Sequence, residues 1–169
     1  MPEAFVPTPG QYLKLRRRTA GLSIEDVALR TDTTPVAVSV RSRAEWIAAI
    51  EADAAELKPE TALVLNRVYD FDLLVLDELA SYRAGATSIA PAICRNCGCS
   101  YLDPCSTPHG ECHWLENDDS RCSGCFKPDG TPRAAGPDDA EEGPPANDAT
   151  PAGLTLTYAG FSPTQATAA

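Results

Sequence analysis

Apolar residues recur at helical spacing through the first ninety positions and lose that spacing beyond them. The pattern predicts five helices. The first covers residues 9–19 and stops at Gly21, a residue suited to the left-handed position past a helix end. A second begins at Ser23, whose hydroxyl can accept an N–H of the first turn. Glu25 and Asp26 there match the helix dipole, and Val27 and Ala28 face inward. After an irregular stretch around Pro35, Ser42 is expected to cap a third helix running to Ala55, with Trp46, Ile47 and Ile50 packing at i, i+1, i+4. Pro59 suits the first position of a fourth helix, which carries Ala62, Leu65, Val68 and Tyr69 on one face. Asp72 opens a fifth, with Leu73, Leu76, Leu79 and Ala80 inward.

Composition changes the picture at two points. Residues 1–90 contain no cysteine, whereas residues 91–127 contain all seven. From residue 128 to 169 the chain is rich in Pro, Gly, Ala, Asp and Thr, made acidic by Asp138, Asp139, Glu141 and Glu142. Such a segment has too little apolar surface to offset its ordering entropy, and it is expected to be a disordered tail. Its patch Leu154–Tyr158 alternates like a strand or docking segment. The expectation is therefore a mainly α protein: a helical domain (1–90), a small cysteine-rich module (91–127) and the tail (128–169). No run of about 18 apolar residues is present, so no membrane span is expected. The first residues have neither a basic nor an apolar stretch of the secretory kind, which points to the cytoplasm. Thiols stay reduced there, favouring metal over disulfides, and an odd cysteine count agrees.

The helical region resembles the phage-repressor (Xre/Cro-like) helix-turn-helix family. The residues that carry the resemblance are AGLSIEDVA at 20–28, the Ile50-Glu51 pair closing the third helix and Pro59 opening the fourth; it covers residues 9–80. The resemblance implies that helices 2 and 3 form the motif and that the start of helix 3 enters the major groove of double-stranded DNA. On that alignment Arg41, Ser42, Arg43 and Glu45 lie nearest base edges, while Arg30 and residues among Arg16, Arg17 and Arg18 meet phosphates. It also implies an ion pair between Glu51 and an arginine of helix 1, with Arg17 the best match. Two features depart from the family. The interval from Leu29 to Arg41 is several residues longer than the usual turn and holds Pro35, Val36, Val38 and Val40. Residues 1–90 also carry ten Lys/Arg against thirteen Asp/Glu, in a chain of net charge −10. Affinity for DNA rests largely on phosphate neutralisation, so binding would require clustered positive charge.

The densest chemistry lies in the 32 residues from Cys94 to Cys125, which hold seven cysteines and both histidines. Cys94-x2-Cys97 and Cys122-x2-Cys125, separated by a 24-residue loop, have the spacing of a zinc ribbon, each pair offering two thiolates from one tight turn. Gly98 and Gly124 follow the knuckles, where positive φ is useful. Within the loop Cys99, Cys105, Cys112 and His109 make a candidate second site; His113, adjoining Cys112, has the more awkward geometry. One or two zinc ions are expected, with an iron–sulfur cluster on Cys94, Cys97, Cys99 and Cys105 as the alternative. His109-Gly110-Glu111 ahead of Cys122-x2-Cys125 partly matches a zinc-deaminase pattern. The interval after Glu111 is too short for that fold, and Arg121 stands where a proline belongs, so no enzyme is expected. The segment is also similar to a cysteine-rich module of phage-related and proteobacterial proteins, through Cys94-x2-Cys97-Gly98-Cys99, Cys112-x-Trp114 and Cys122-x2-Cys125. The combined expectation is a DNA-binding transcriptional regulator with a structural zinc module, acting alone, as a homodimer or with a protein partner. The alternative is a metal-stabilised protein–protein adaptor that does not bind DNA.

Overall fold

A computed structural model describes residues 5–31, 38–108, 110–116 and 118–133. Pro35, Val36, His109 and the tail from residue 134, with its Leu154–Tyr158 patch, lie outside the described residues. The helices are α1 (Pro9–Thr19), α2 (Ile24–Arg30), α3 (Val40–Glu51), α4 (Pro59–Asn66) and α5 (Leu73–Arg83). Two short antiparallel pairs follow, β1 (Ser106–Thr107) with β2 (Gly110–Glu111), and β3 (Trp114–Leu115) with β4 (Asp118–Cys122).

Local signals account for most helix ends. Thr8 caps α1 in a reciprocal box with Gln11, and Ser23 does the same for α2 with Asp26. Pro59 opens α4, and the Asp72 side chain accepts from the Leu74 and Val75 N–H groups at the start of α5. Gly21 takes φ 67°, as a residue past a helix end requires. The third helix corrects the sequence reading: Ser39, not Ser42, is its cap, accepting the Ser42 N–H at 3.1 Å. Both serines are competent caps. The extended backbone of Ser39 (ψ 149°) lets the helix begin at Val40. The helix ends at Glu51, and Asp53 just beyond it adopts the left-handed conformation (φ 54°).

The core lies between the helices, with Tyr12, Leu13, Val27, Ala28, Ile47, Ile50, Leu65, Val75 and Leu79 essentially inaccessible. Trp46 and Leu73, expected inward, are each 37% exposed, and Val75 holds the inward position at the start of α5. Tyr12 spans the core, and its hydroxyl accepts the Asp72 N–H at 3.0 Å. Burial pushes that phenol up to about 12. Asp53 closes the start of α1, accepting from the Thr8 hydroxyl and from the Gly10 N–H at 3.0 Å. Gly10 permits this junction. A Cβ there would lie inside contact distance of the Ile50 carbonyl oxygen and 2.9 Å from that of Glu51. Backbone atoms cannot swing aside, so Gly10→Ala should destabilise the protein by about 1–3 kcal/mol or more. A chemical-denaturation midpoint equal to that of the wild type would contradict this close approach.

The cysteine segment is not a separate bead. Ile93 is fully buried in the helical core. The Thr19 hydroxyl donates to the Cys97 carbonyl at 2.9 Å, Arg16 pairs with Asp103, and the Tyr101 hydroxyl donates to Glu78 at 3.1 Å. Helices and cysteine segment belong to one compact unit. Hydrogen bonding also runs on past residue 127: the Arg133 N–H reaches the Cys125 carbonyl at 2.8 Å, and Phe126 bridges to Pro132. No helix among the described residues is long and apolar enough to cross a membrane.

Candidate metal centre and helix-turn-helix surface

Three local turns deliver the thiols. In the first knuckle the Gly98 N–H bonds to the Cys94 carbonyl and the Cys94 N–H to the Cys99 carbonyl, both at 2.9 Å. This wraps Cys94, Cys97 and Cys99 around one point, and the Cys99 N–H approaches Cys97 Sγ at 3.4 Å. Gly98 has φ 72°, and a Cβ there would meet Leu15 Cβ at 3.0 Å, so the knuckle also lies tight against α1. In the second turn Cys105 precedes β1 and Cys112 follows β2. The hairpin faces them across its base, with the Cys112 N–H on the Cys105 carbonyl at 2.9 Å and the Cys105 N–H on Cys112 Sγ at 3.2 Å. The third turn is set by β4, whose last residue, Cys122, pairs with Trp114. The Arg95 N–H on the Ser120 carbonyl at 3.0 Å ties β4 to the first knuckle. Gly124 does not use positive φ. It is needed because a Cβ would stand 2.9 Å from Cys105 Sγ.

Two sets of four sulfurs lie within 4.8 Å of one another: Cys94, Cys97, Cys99, Cys122, and Cys99, Cys105, Cys112, Cys122. Each set could hold a metal ion. The first contains Cys99 beside three of the four residues expected from the spacing. The reason is the C-x2-C-x-C turn, which brings the third sulfur back onto the first two. The second joins Cys99, Cys105 and Cys112, as expected, with Cys122; His109 lies outside the described residues. Cys125 belongs to neither set, although its sulfur interacts with Cys94, Cys97, Cys105 and Cys122. His113 is exposed, its Nδ1 3.2 Å from the Ser123 hydroxyl, and it is not among these donors.

The thiols perturb one another. Contact with Cys105 pushes the Cys97 thiol up and pulls that of Cys122 down; burial, then Cys105, pushes Cys112 up to about 12. Crowded thiols cannot all ionise together unless a cation offsets the charge. Their surroundings supply little else to hold the segment. Besides the sulfurs, the second core contains Phe126, Trp114 and Leu115.

The residues expected to meet DNA divide into two groups. Arg16 and Arg17 do not reach toward phosphates, because both are buried. Arg16 pairs with Asp103 and donates to the Asp70 carbonyl at 3.1 Å. Arg17 forms the ion pair with Glu51 that the family resemblance implies, through Nε at 2.7 Å and Nη2 at 2.8 Å, and also donates to the Leu22 carbonyl at 2.6 Å. Arg43, expected at a base edge, turns inward to the Thr31 carbonyl, where it fastens the start of α3 to the end of α2. Outward-facing are Arg18, Arg30, Arg41, Ser42 and Glu45. Arg41 and Glu45 form an exposed i,i+4 pair at 3.2 Å. The inward contacts join residues far apart in the chain, and no local pattern could have separated Arg43 from Arg41. No protein-family model matches the chain, and comparisons with curated proteins and with solved structures give no match either.

Proposed function

We propose that this protein is a DNA-binding regulator whose helix-turn-helix domain is stabilised by a structural zinc centre. The supporting observation is the first turn of α3. Arg43 fastens it to α2, while Arg41 and Ser42 are left facing solvent, as is Arg30 at the end of α2. An exposed pair such as Arg41–Glu45 contributes only about 0.3–0.5 kcal/mol, so Arg41 is free to exchange its carboxylate for a guanine edge. Zinc is favoured by an all-sulfur donor set. In a tetrahedron with metal–sulfur bonds of about 2.3 Å, neighbouring sulfurs stand about 3.8 Å apart. Cys97 and Cys122 are 3.8 Å apart, and Cys99–Cys112 and Cys105–Cys122 are 3.6 Å apart. Sulfurs gathered this closely suit a single central ion better than the irons and inorganic sulfides of an iron–sulfur cluster, which spread their thiolates over more than one metal. A closed thiolate shell holds structure and offers no open position for catalysis.

The test is selection from a random duplex library at low salt, followed by salt-titrated binding of variants. Arg41→Ala should lose roughly 1–3 kcal/mol of discrimination among the selected duplexes. Arg18→Ala should weaken all of them alike and lower the salt slope by about one. Failure to enrich any sequence would overturn the DNA reading. The adaptor reading is favoured by a different observation: a groove of about 610 Å³ lined by Ile50, Leu57, Leu63 and Leu76 together with Glu56 and Asp77. Apolar walls with acidic side chains suit a basic amphipathic helix of a protein partner.

A further inference from the structure

We infer that the sulfur cluster is also a site of reversible oxidation, where a hydroperoxide joins Cys105 to Cys122 and the new disulfide releases the metal and loosens the helices. This rests on reading the cysteines as thiolate ligands and adds a reaction of those thiolates. Access selects the first residue. Cys94, Cys97, Cys99 and Cys122 are buried, whereas Cys105, Cys112 and Cys125 are only partly buried. Proximity selects the second, since Cys105 Sγ lies 3.6 Å from Cys122 Sγ. A partly exposed thiolate beside a second thiolate is the arrangement in which a sulfenic acid is captured as a disulfide before it oxidises further. Two other cysteines compete less well. Cys97, 3.8 Å from Cys105, and Cys112 accept backbone N–H groups at 3.4 Å and 3.2 Å. Such a bond draws charge from the sulfur and slows its attack.

The Cys105 thiolate attacks one peroxide oxygen and breaks the O–O bond, giving a sulfenic acid and, after protonation, water. The Cys122 thiolate then attacks that sulfur and displaces hydroxide, which takes up a proton to become a second water. The two sulfurs together lose two electrons and the peroxide gains them, while the metal keeps its oxidation state. Cys122 occurs in both sets of four sulfurs, so one disulfide removes a donor from each. Disulfide sulfur lacks the thiolate charge that holds a divalent ion.

The change has a contact route to the helices. Cys122 ends β4, and the Ser120 carbonyl of that strand accepts the Arg95 N–H of the first knuckle at 3.0 Å. The knuckle lies on α1, where the Cys97 carbonyl accepts from the Thr19 hydroxyl at 2.9 Å. Arg17 of α1 in turn holds Glu51 at the end of α3.

The experiment titrates the zinc-loaded full chain with hydrogen peroxide. Zinc release is read with a chromogenic chelator, disulfides by non-reducing peptide mapping, and the helices by circular-dichroism melting. The first disulfide should join Cys105 to Cys122, zinc should leave in step with it, and the helical melting temperature should fall. Dithiothreitol with added zinc should reverse all three. Cys105→Ser should slow zinc release; if that variant does not hold zinc, the wild-type map decides alone. Zinc that stays bound under excess peroxide would overturn the proposal. So would a first disulfide that omits Cys105 or Cys122, such as one from Cys125 to Cys94, or helices that melt unchanged once zinc has left. Protein that never takes up zinc would overturn the metal reading beneath it. None of these readouts involves DNA, so they stand apart from the DNA-binding test.

Discussion

A strong chelator under reducing conditions should collapse the cysteine segment and weaken the helices with it. Structural zinc supplies roughly 10–16 kcal/mol of apparent binding energy that acts as folding energy. The second core has little to replace it, since Phe126, Trp114 and Leu115 are its principal non-sulfur members. Loss of the segment would also take away the buried Ile93 side chain, the Thr19–Cys97 hydrogen bond and the Asp103 partner of the buried Arg16. A strong chelator should therefore shift Trp114 fluorescence, read in a Trp46→Phe background, and lower the helical melting temperature. Helices that melt unchanged after complete metal removal would show that the two parts fold independently.

The second large effect is expected at Glu51. Its carboxylate and the Arg17 guanidinium form a two-pronged pair, with side chains only 4% and 6% exposed. Glu51→Ala removes one partner and leaves a buried cation, which typically costs about 3–5 kcal/mol. The double variant Arg17→Met/Glu51→Leu removes both charges and should recover most of that loss, because desolvation offsets much of the pair's attraction. Urea denaturation of the single and double variants reads the comparison directly. A cost below about 1 kcal/mol for Glu51→Ala would place the pair in the class of weak surface bridges.

Caps and turns made much of the fold legible in the sequence. Pro9–Thr19, the Ser23 cap, Pro59 and Asp72 stand where local chemistry puts them, because a helix end is decided by residues within one turn. The cysteine run was equally plain as a segment whose sulfurs gather closely enough to hold a metal ion. Its partition was not, since C-x2-C spacing fixes a knuckle but says nothing about which other turn folds onto it. Cys99 joins Cys94 and Cys97 through backbone bonds within the knuckle, and Cys122 reaches the hairpin cysteines through β4. The arginines show the same boundary. Arg16, Arg17 and Arg18 are neighbours in sequence. Only the packing of Asp103 and Glu51 onto α1 turns two of them inward and leaves the third in solvent.

The centre can be tested most directly by elemental analysis of anaerobically purified protein together with its visible spectrum. The expected result is stoichiometric zinc and a colourless solution, with the thiols protected from alkylation until a chelator is added. Protein that is brown from iron and inorganic sulfide, or that carries no stoichiometric metal and reacts at once at all seven cysteines, would contradict it.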